Sequence, residues 1–224
     1  MSIISVKTIP SREWKEPKNR EELTHYIREL ERKRNPEKVK ERIYYMWFHY
    51  LKLCLNLEDI KHTIEKRGRG GTILSKTKVR VSKSIYRKWD LQEVRTSSFY
   101  KWYKNPKHQK LFTEGGFIYS RGCQYHSLVK RYNVFITYHN KMNTEYEDVT
   151  GGERSKKSKL CEDIVKKFQI TKVRYEVVEG DRRNPTRTKE KKTSFQSMVL
   201  NDINDCEKTI LSVCQGEFPK SKSV

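Results

Sequence analysis

Residues 88–112, KWDLQEVRTSSFYKWYKNPKHQKLF, combine aromatic rings with lysines in a pattern that suits a surface for an acidic partner. In a helix formed by FYKWYK, Phe99, Trp102 and Tyr103 lie at i, i+3 and i+4 and therefore share one side. The residues that point elsewhere are Tyr100, Lys101 and Lys104. We predict that the aromatic side packs in the core and that the other side contacts phosphates.

The elements that position these residues are two short helices. Asp90 can cap a first helix that carries Leu91 and Val94, and the hydroxyl groups of residues 96–98 can cap a second one. Pro106 disfavours helical backbone at the residue before it, so the second helix ends near residue 105. Two helices joined by a tight polar turn indicate a helix-turn-helix-like pair near residues 89–105.

Charge points to the same region of the chain. The sequence has 49 Lys and Arg against 28 Asp and Glu, a formal net charge of +21. Residues 61–112 contribute 15 basic and 3 acidic residues to that excess. A strongly basic, one-signed surface attracts the phosphates of nucleic acid, so we predict a nucleic-acid-binding protein that favours double-stranded DNA.

The expected mechanism is neutralisation of phosphates with limited base readout. The predicted contact residues are Arg67, Arg69, Lys83, Arg87, Lys88, Arg95, Tyr100, Lys101, Lys104, Lys107 and Lys110. The segment KRGRGG at 66–71 can place two of its arginines in a minor groove, or it is a plain flexible loop. Further basic runs at 154–159 and 182–192 are either solvated loops or additional backbone contacts.

Two other functions remain open. A metal-dependent nuclease would draw on acidic residues of the C-terminal half, although none of them has a distinctive spacing. A basic subunit of a ribonucleoprotein or DNA–protein assembly would direct the same charge to RNA or to an acidic protein partner. Cys123 and His126 have a Cys-x-x-His spacing without a second close pair, so we predict no zinc site. Because no acidic or histidine spacing elsewhere is distinctive, we predict no catalytic residue and no cofactor.

Hydrophobic periodicity places the chain in the α+β class, with a mainly helical basic region at 1–112 and a small mixed region of strands and helices at 113–224. The alternative is that the two regions form one continuous domain. Helices are predicted at 19–35, 37–60, 151–168 and 194–214. Strands are predicted at 78–81, 116–120, 132–138 and 171–180, with loops at 65–77 and 181–192.

Composition limits where the protein acts. No segment approaches the roughly 18 apolar residues that a membrane span requires, and the first residues do not resemble a secretory signal. The five cysteines form an odd set without a Cys-x-x-Cys pair. These features predict a reduced, intracellular protein that does not bind a membrane.

Overall fold

A computed structural model describes residues 3–9, 36–67, 72–114, 118–119, 125–145, 153–168, 170, 173–178, 187–192 and 194–218. The helices are α1 (Pro36–Asp59), α2 (Leu91–Thr96), α3 (Phe99–Tyr103), α4 (Pro106–Glu114), α5 (Tyr125–Glu145), α6 (Glu153–Lys167) and α7 (Phe195–Cys214). The strands are β1 (Thr63–Arg67), β2 (Ile73–Lys78), β3 (Ile118–Tyr119), β4 (Val173–Val178), β5 (Arg187–Lys192) and β6 (Glu217–Phe218). This mostly helical mixture of helix and strand confirms the α+β class.

Helix α1 occupies the centre of the molecule and confirms the helix predicted at 37–60. Proline is well tolerated at the first position of a helix, where its missing N–H has no intrahelical partner, and Pro36 stands there. From Tyr44 to Leu57 most side chains are buried, including Trp47 and Tyr50. The helix contacts α5 and α7 as well as α2 and α3. A helix that is apolar around most of its circumference must be covered by neighbours on several sides. These contacts cover α1 in that way.

Helix α5 corrects the strand predicted at 132–138. The buried residues Leu128, Val129, Tyr132, Phe135 and Ile136 recur at helical spacing along it. Asn133 and Thr137 are buried as well, so nearly the whole circumference is covered and the apolar residues mimic the alternation of a strand. A short apolar run cannot be assigned to strand or helix by periodicity alone, which explains the error.

Two antiparallel hairpins correct the predicted loops. β1 pairs with β2, with Thr63 opposite Lys78, where a loop and a strand at 78–81 were expected. All six residues of β2 are exposed, so this strand has no alternation of buried and exposed residues that would have signalled it. β4 confirms the strand predicted near 171–180, but its partner β5 lies within the expected loop at 181–192. Hydrogen bonds between the backbones of paired strands hold both hairpins together, and a charged sequence does not reveal them.

The C-terminal part follows the prediction more closely. α6 and α7 coincide with predicted helices, and Ser194 caps α7 by accepting a hydrogen bond from the backbone N–H of Ser197 at 3.2 Å. Gly216 has φ 73°, a left-handed conformation that favours glycine just beyond a helix. β3, within the predicted 116–120, pairs in parallel with β6. The helix predicted at 19–35 lies outside the described residues.

The buried hydrophobic residues form one cluster that extends from Ile4 in the N-terminal arm to Phe218 in β6. Asn133 of α5 holds this arm by accepting from the backbone N–H of Ile9 at 2.7 Å and donating to its carbonyl at 2.8 Å. Asn140 binds the backbone of Ile4 in the same way. Within the described ranges, no helix has both the length and the apolar character needed to cross a membrane.

Candidate nucleic-acid interface

A stack of three rings holds α2, α3 and α4 together. The rings of Trp89 and Trp102 lie 5.1 Å apart at 28°, and those of Trp102 and His108 lie 4.4 Å apart at 12°. His108 also places Nδ1 2.7 Å from the carbonyl of Trp102 and Nε2 3.6 Å from the carboxylate of Glu93. Helices of 6 and 5 residues are too short to form alone, so this packing determines their positions.

The predicted helix caps are present. Asp90 accepts a hydrogen bond from the backbone N–H of Glu93 at 2.9 Å, and Ser98 accepts one from Lys101 at 3.4 Å. Phe99 and Trp102 are buried, as their spacing predicted, whereas Tyr100 is 57% exposed. The aromatic side of the opening segment therefore belongs to the core.

The basic residues lie on the outside of this assembly. Each ring of the stack is preceded in sequence by an exposed lysine: Lys88, Lys101 or Lys107. The other exposed basic residues predicted as contacts in this part are Lys83, Arg87, Lys104 and Lys110. We call the six cations Lys83, Arg87, Lys88, Lys101, Lys104 and Lys107, which lie on the backbone around the ring stack, the basic layer.

The carboxylates of residues 61–112 are already engaged within the protein. Glu65 pairs with Lys76 at 3.0 Å, Asp90 caps α2, and Glu93 contacts His108. In the part of the chain that the structure describes, no acidic side chain forms an ion pair with Lys83, Arg87, Lys88, Lys101, Lys104 or Lys107. The positive charge of these six residues is therefore uncompensated and faces solvent.

Arg95 and Tyr100 occupy a different place from the other predicted contacts. Both line a groove of about 650 Å³ between the N-terminal arm, α1 and the α2–α3 turn. Arg95 forms a two-point salt bridge with Asp59, with Nε 3.2 Å from Oδ2 and Nη2 3.0 Å from Oδ1. Its guanidinium is thus partly neutralised, in contrast to the lysines of the basic layer.

The groove contains basic residues that the sequence did not single out. Lys52 of α1 lines it and donates a hydrogen bond to the carbonyl of Ser97 at 2.9 Å. Burial lowers the pKa of Lys52. Burial, followed by the nearby charge of Lys52, lowers the pKa of His49 to about 4. His49 and Lys52 lie one turn apart on α1, but Lys7 and Arg95 are distant from them in sequence, so no local spacing links the whole set.

The remaining two predicted contacts, both arginines, belong to the β1–β2 hairpin segment. Arg67 is the last residue of β1, and Arg69 lies outside the described residues. The exposed lysines Lys66 and Lys78 lie on β1 and β2, so this hairpin carries positive charge away from the core. The basic run at 154–159 lies on helix α6 rather than in a loop, and residues 187–192 of the second run form β5.

Metal-ligating groups, cysteines and similarity to known proteins bear on other activities. Among the residues whose positions are described, no group of three or more His, Cys, Asp or Glu side chains could hold a metal ion. The described cysteines, Cys54, Cys161, Cys206 and Cys214, are free and buried. Comparison with protein-family models, curated proteins and solved structures finds no match to this chain.

Proposed function

We propose that this protein binds nucleic acid, with double-stranded DNA as the preferred form, through phosphate contacts made by the basic layer. The observation that carries this proposal is the set of six exposed cations without an acidic partner. Phosphates are the partner that a dense, uncompensated positive surface attracts most strongly, because neutralising them releases condensed counterions.

The rigidity of the basic layer favours a structured polyanion. The lysines beside Trp89, Trp102 and His108 are attached to a backbone that the ring stack holds in one arrangement. Less conformational freedom of the backbone is then lost when phosphates bind, which increases affinity. A regular duplex presents its phosphates at fixed intervals and suits such a surface.

Within this proposal, α2 and α3 act as the helix-turn-helix-like pair. Tyr100, Lys101 and Lys104 are the exposed side chains at and just beyond α3 that can approach base edges. A helix of 5 residues presents few side chains to a groove, so base readout is limited and phosphate contacts dominate. The exposed β1–β2 hairpin supplies a second basic arm, since two-stranded ribbons fit the major groove. We place the site of action of the protein inside the cell, where nucleic acids occur.

Fluorescence anisotropy with a labelled DNA duplex tests this function. If the six unpaired cations contact phosphates, affinity should fall about 10³-fold between about 50 and 200 mM salt. Competition with single-stranded DNA and duplex RNA of equal length should show weaker binding to both. An affinity for duplex DNA that does not change with salt would contradict the proposal.

A further inference from the structure

The groove beside the basic layer has the size of a small-molecule site. Its volume of about 650 Å³ lies within the roughly 300–1,000 Å³ typical of ligand pockets. Ser5 and Lys7 of the N-terminal arm line it, as do Ser98 and Tyr100 at the start of α3. The arm is held firmly, because Asn56 donates to the hydroxyl of Ser5 at 2.7 Å and accepts from its backbone N–H at 3.3 Å. The walls therefore come from anchored segments.

The charge of this groove favours an anion. Three basic side chains line it, those of Lys7, Lys52 and Arg95, against the single carboxylate of Asp59. Asp59 is already engaged by Arg95. Lys52 is hydrogen-bonded to a neutral carbonyl, which leaves its charge uncancelled. Lys7 and Lys52 are consequently available to a phosphate.

The remaining lining favours a planar, aromatic group with polar edges. Tyr100 is 57% exposed, and the ring of Tyr45 lies 5.8 Å from it, towards the core. His49 also lines the groove, and its Nδ1 is buried without a hydrogen-bond partner. A nucleobase offers both a face that stacks on tyrosine and polar edge atoms that suit the serine hydroxyls lining the groove.

We propose, on the basis of the nucleic-acid binding proposed above, that this groove binds one nucleotide unit, with its base on Tyr100 and its phosphate between Lys7 and Lys52. The unit is an unpaired nucleotide of a bound strand or a free nucleoside monophosphate, which share the same chemistry. Because the groove adjoins α3, a strand that crosses the basic layer can place an extruded base in it.

Two probes distinguish these sources. The first is a DNA duplex with a single unpaired adenosine, compared with the fully paired duplex. Base–aromatic stacking predicts that the bulged duplex binds at least about fivefold more tightly. The second probe is AMP, titrated while the imidazole resonances of His49 are followed by NMR and identified with His49→Gln. Binding in the groove should shift these resonances.

Two variants and one control locate the effect. Lys52→Gln and Lys7→Gln each remove one phosphate contact and should weaken AMP binding about tenfold, with loss of the preference for the bulge. Lys7 is exposed on the arm, so its variant remains informative if Lys52→Gln proves unstable. The control is Lys208→Gln, which removes the same charge from an exposed site on α7 that does not line the groove. It should leave both measurements within about twofold of the wild type.

The outcomes separate this inference from the proposed function. Shifted His49 resonances with a bulge preference support a strand nucleotide, whereas shifted resonances without that preference support a free nucleotide. Equal affinity for both duplexes, with no AMP-induced shift, overturns the nucleotide site while leaving duplex binding intact. AMP binding in the groove without affinity for any duplex rejects the proposed function and leaves the nucleotide site standing.

Discussion

The basic layer and the interface of α5 with α7 use the same cationic residue types in opposite ways. In the α5–α7 interface, Lys130 Nζ lies 3.6 Å from Asp202 Oδ2, and both side chains are at least 92% buried. Beside them, Arg131 Nη2 lies 2.8 Å from Asp205 Oδ2. In the basic layer, Lys101, Lys104 and Lys107 are exposed and have no acidic partner in the described part of the chain.

This difference shows that the surroundings of a cation decide its role. A buried charge is costly to desolvate and must be matched, so Lys130 serves the packing of two helices. An exposed, unmatched charge contributes little to stability and remains available to a partner. Net charge alone therefore overstates how much positively charged surface is available to a partner. The basic layer is the part whose charges are exposed and unmatched.

The largest expected effect comes from removing the support of the basic layer. Trp102→Ala deletes the middle ring of the stack between Trp89 and His108 and should lower the free energy of unfolding by about 3–5 kcal/mol. Trp47→Ala should do the same, since Trp47 is fully buried and donates to the Tyr86 hydroxyl at 3.0 Å. Urea unfolding measures both. Normal stability combined with lost DNA binding would place these rings on the ligand surface instead.

The second-largest expected effect comes from breaking the buried ion pair of Lys130 and Asp202 in the α5–α7 interface. Asp202→Ala leaves the buried ammonium of Lys130 without its carboxylate and should cost about 3 kcal/mol of stability. DNA affinity at low temperature should stay within about twofold, because this pair is buried. The double variant Lys130→Met/Asp202→Leu removes both charges and should recover much of the loss. If Asp202→Ala melts like the wild type, the pair has no structural role.

The third effect concerns the pH dependence of stability that two buried histidines should cause. His49 lines the groove beside the basic layer, and His139 lies on α5 with its ring 5.3 Å from that of His62. Burial lowers the pKa of each to about 4, with smaller effects from Lys52 and His62 respectively. The unfolded chain therefore binds more protons below pH 6.5, so stability is complete above that pH and falls as the pH drops towards 4.

Each histidine should contribute at most about 1.4 kcal/mol of lost stability per pH unit in that window. Urea unfolding between neutral and acidic pH measures the slope, and His49→Gln and His139→Gln should each reduce it. A slope that neither substitution changes would show that both imidazoles are protonated without cost in the folded protein.

Periodicity predicted α1, α6 and α7 and the packing of Phe99 and Trp102, because a continuous apolar stripe dominates the local sequence. The capping residues Asp90 and Ser98 were also predictable, since short polar side chains before a helix have a specific hydrogen-bonding role. The pairing of the two hairpins was not predictable, because hydrogen bonds to a partner strand leave no local pattern. Helix α5 was not predictable either, because burial on all sides leaves no helical pattern. The groove joins residues 7, 52 and 95, and only tertiary packing brings them together.

Arg95 shows the limit of charge counting in the same way. Its sequence position within a basic segment predicted a nucleic-acid contact, but Asp59, 36 residues earlier, engages its guanidinium. Whether Arg95 also reaches a ligand from the groove remains a prediction. The exposure of Lys101 and Lys104, by contrast, follows from helical geometry once the aromatic side is assigned to the core.

The smallest expected effect on stability accompanies the most direct test of the central claim. Lys101→Gln, Lys104→Gln and Lys107→Gln together remove three exposed charges from the basic layer and should change stability by no more than about 0.5 kcal/mol. The matched control replaces Lys166, Lys167 and Lys208, which are exposed on α6 and α7, with glutamine. Both triple variants have the same net charge.

The measurement is the slope of log affinity for duplex DNA against log salt concentration, for the wild type and both triple variants. If the basic layer binds phosphates, the slope of its triple variant should shrink by about 2–3, because each lost contact removes about 0.9. The control should keep the wild-type slope to within about 1. A basic-layer variant that melts normally and retains the wild-type slope would contradict the assignment of these lysines to a nucleic-acid interface.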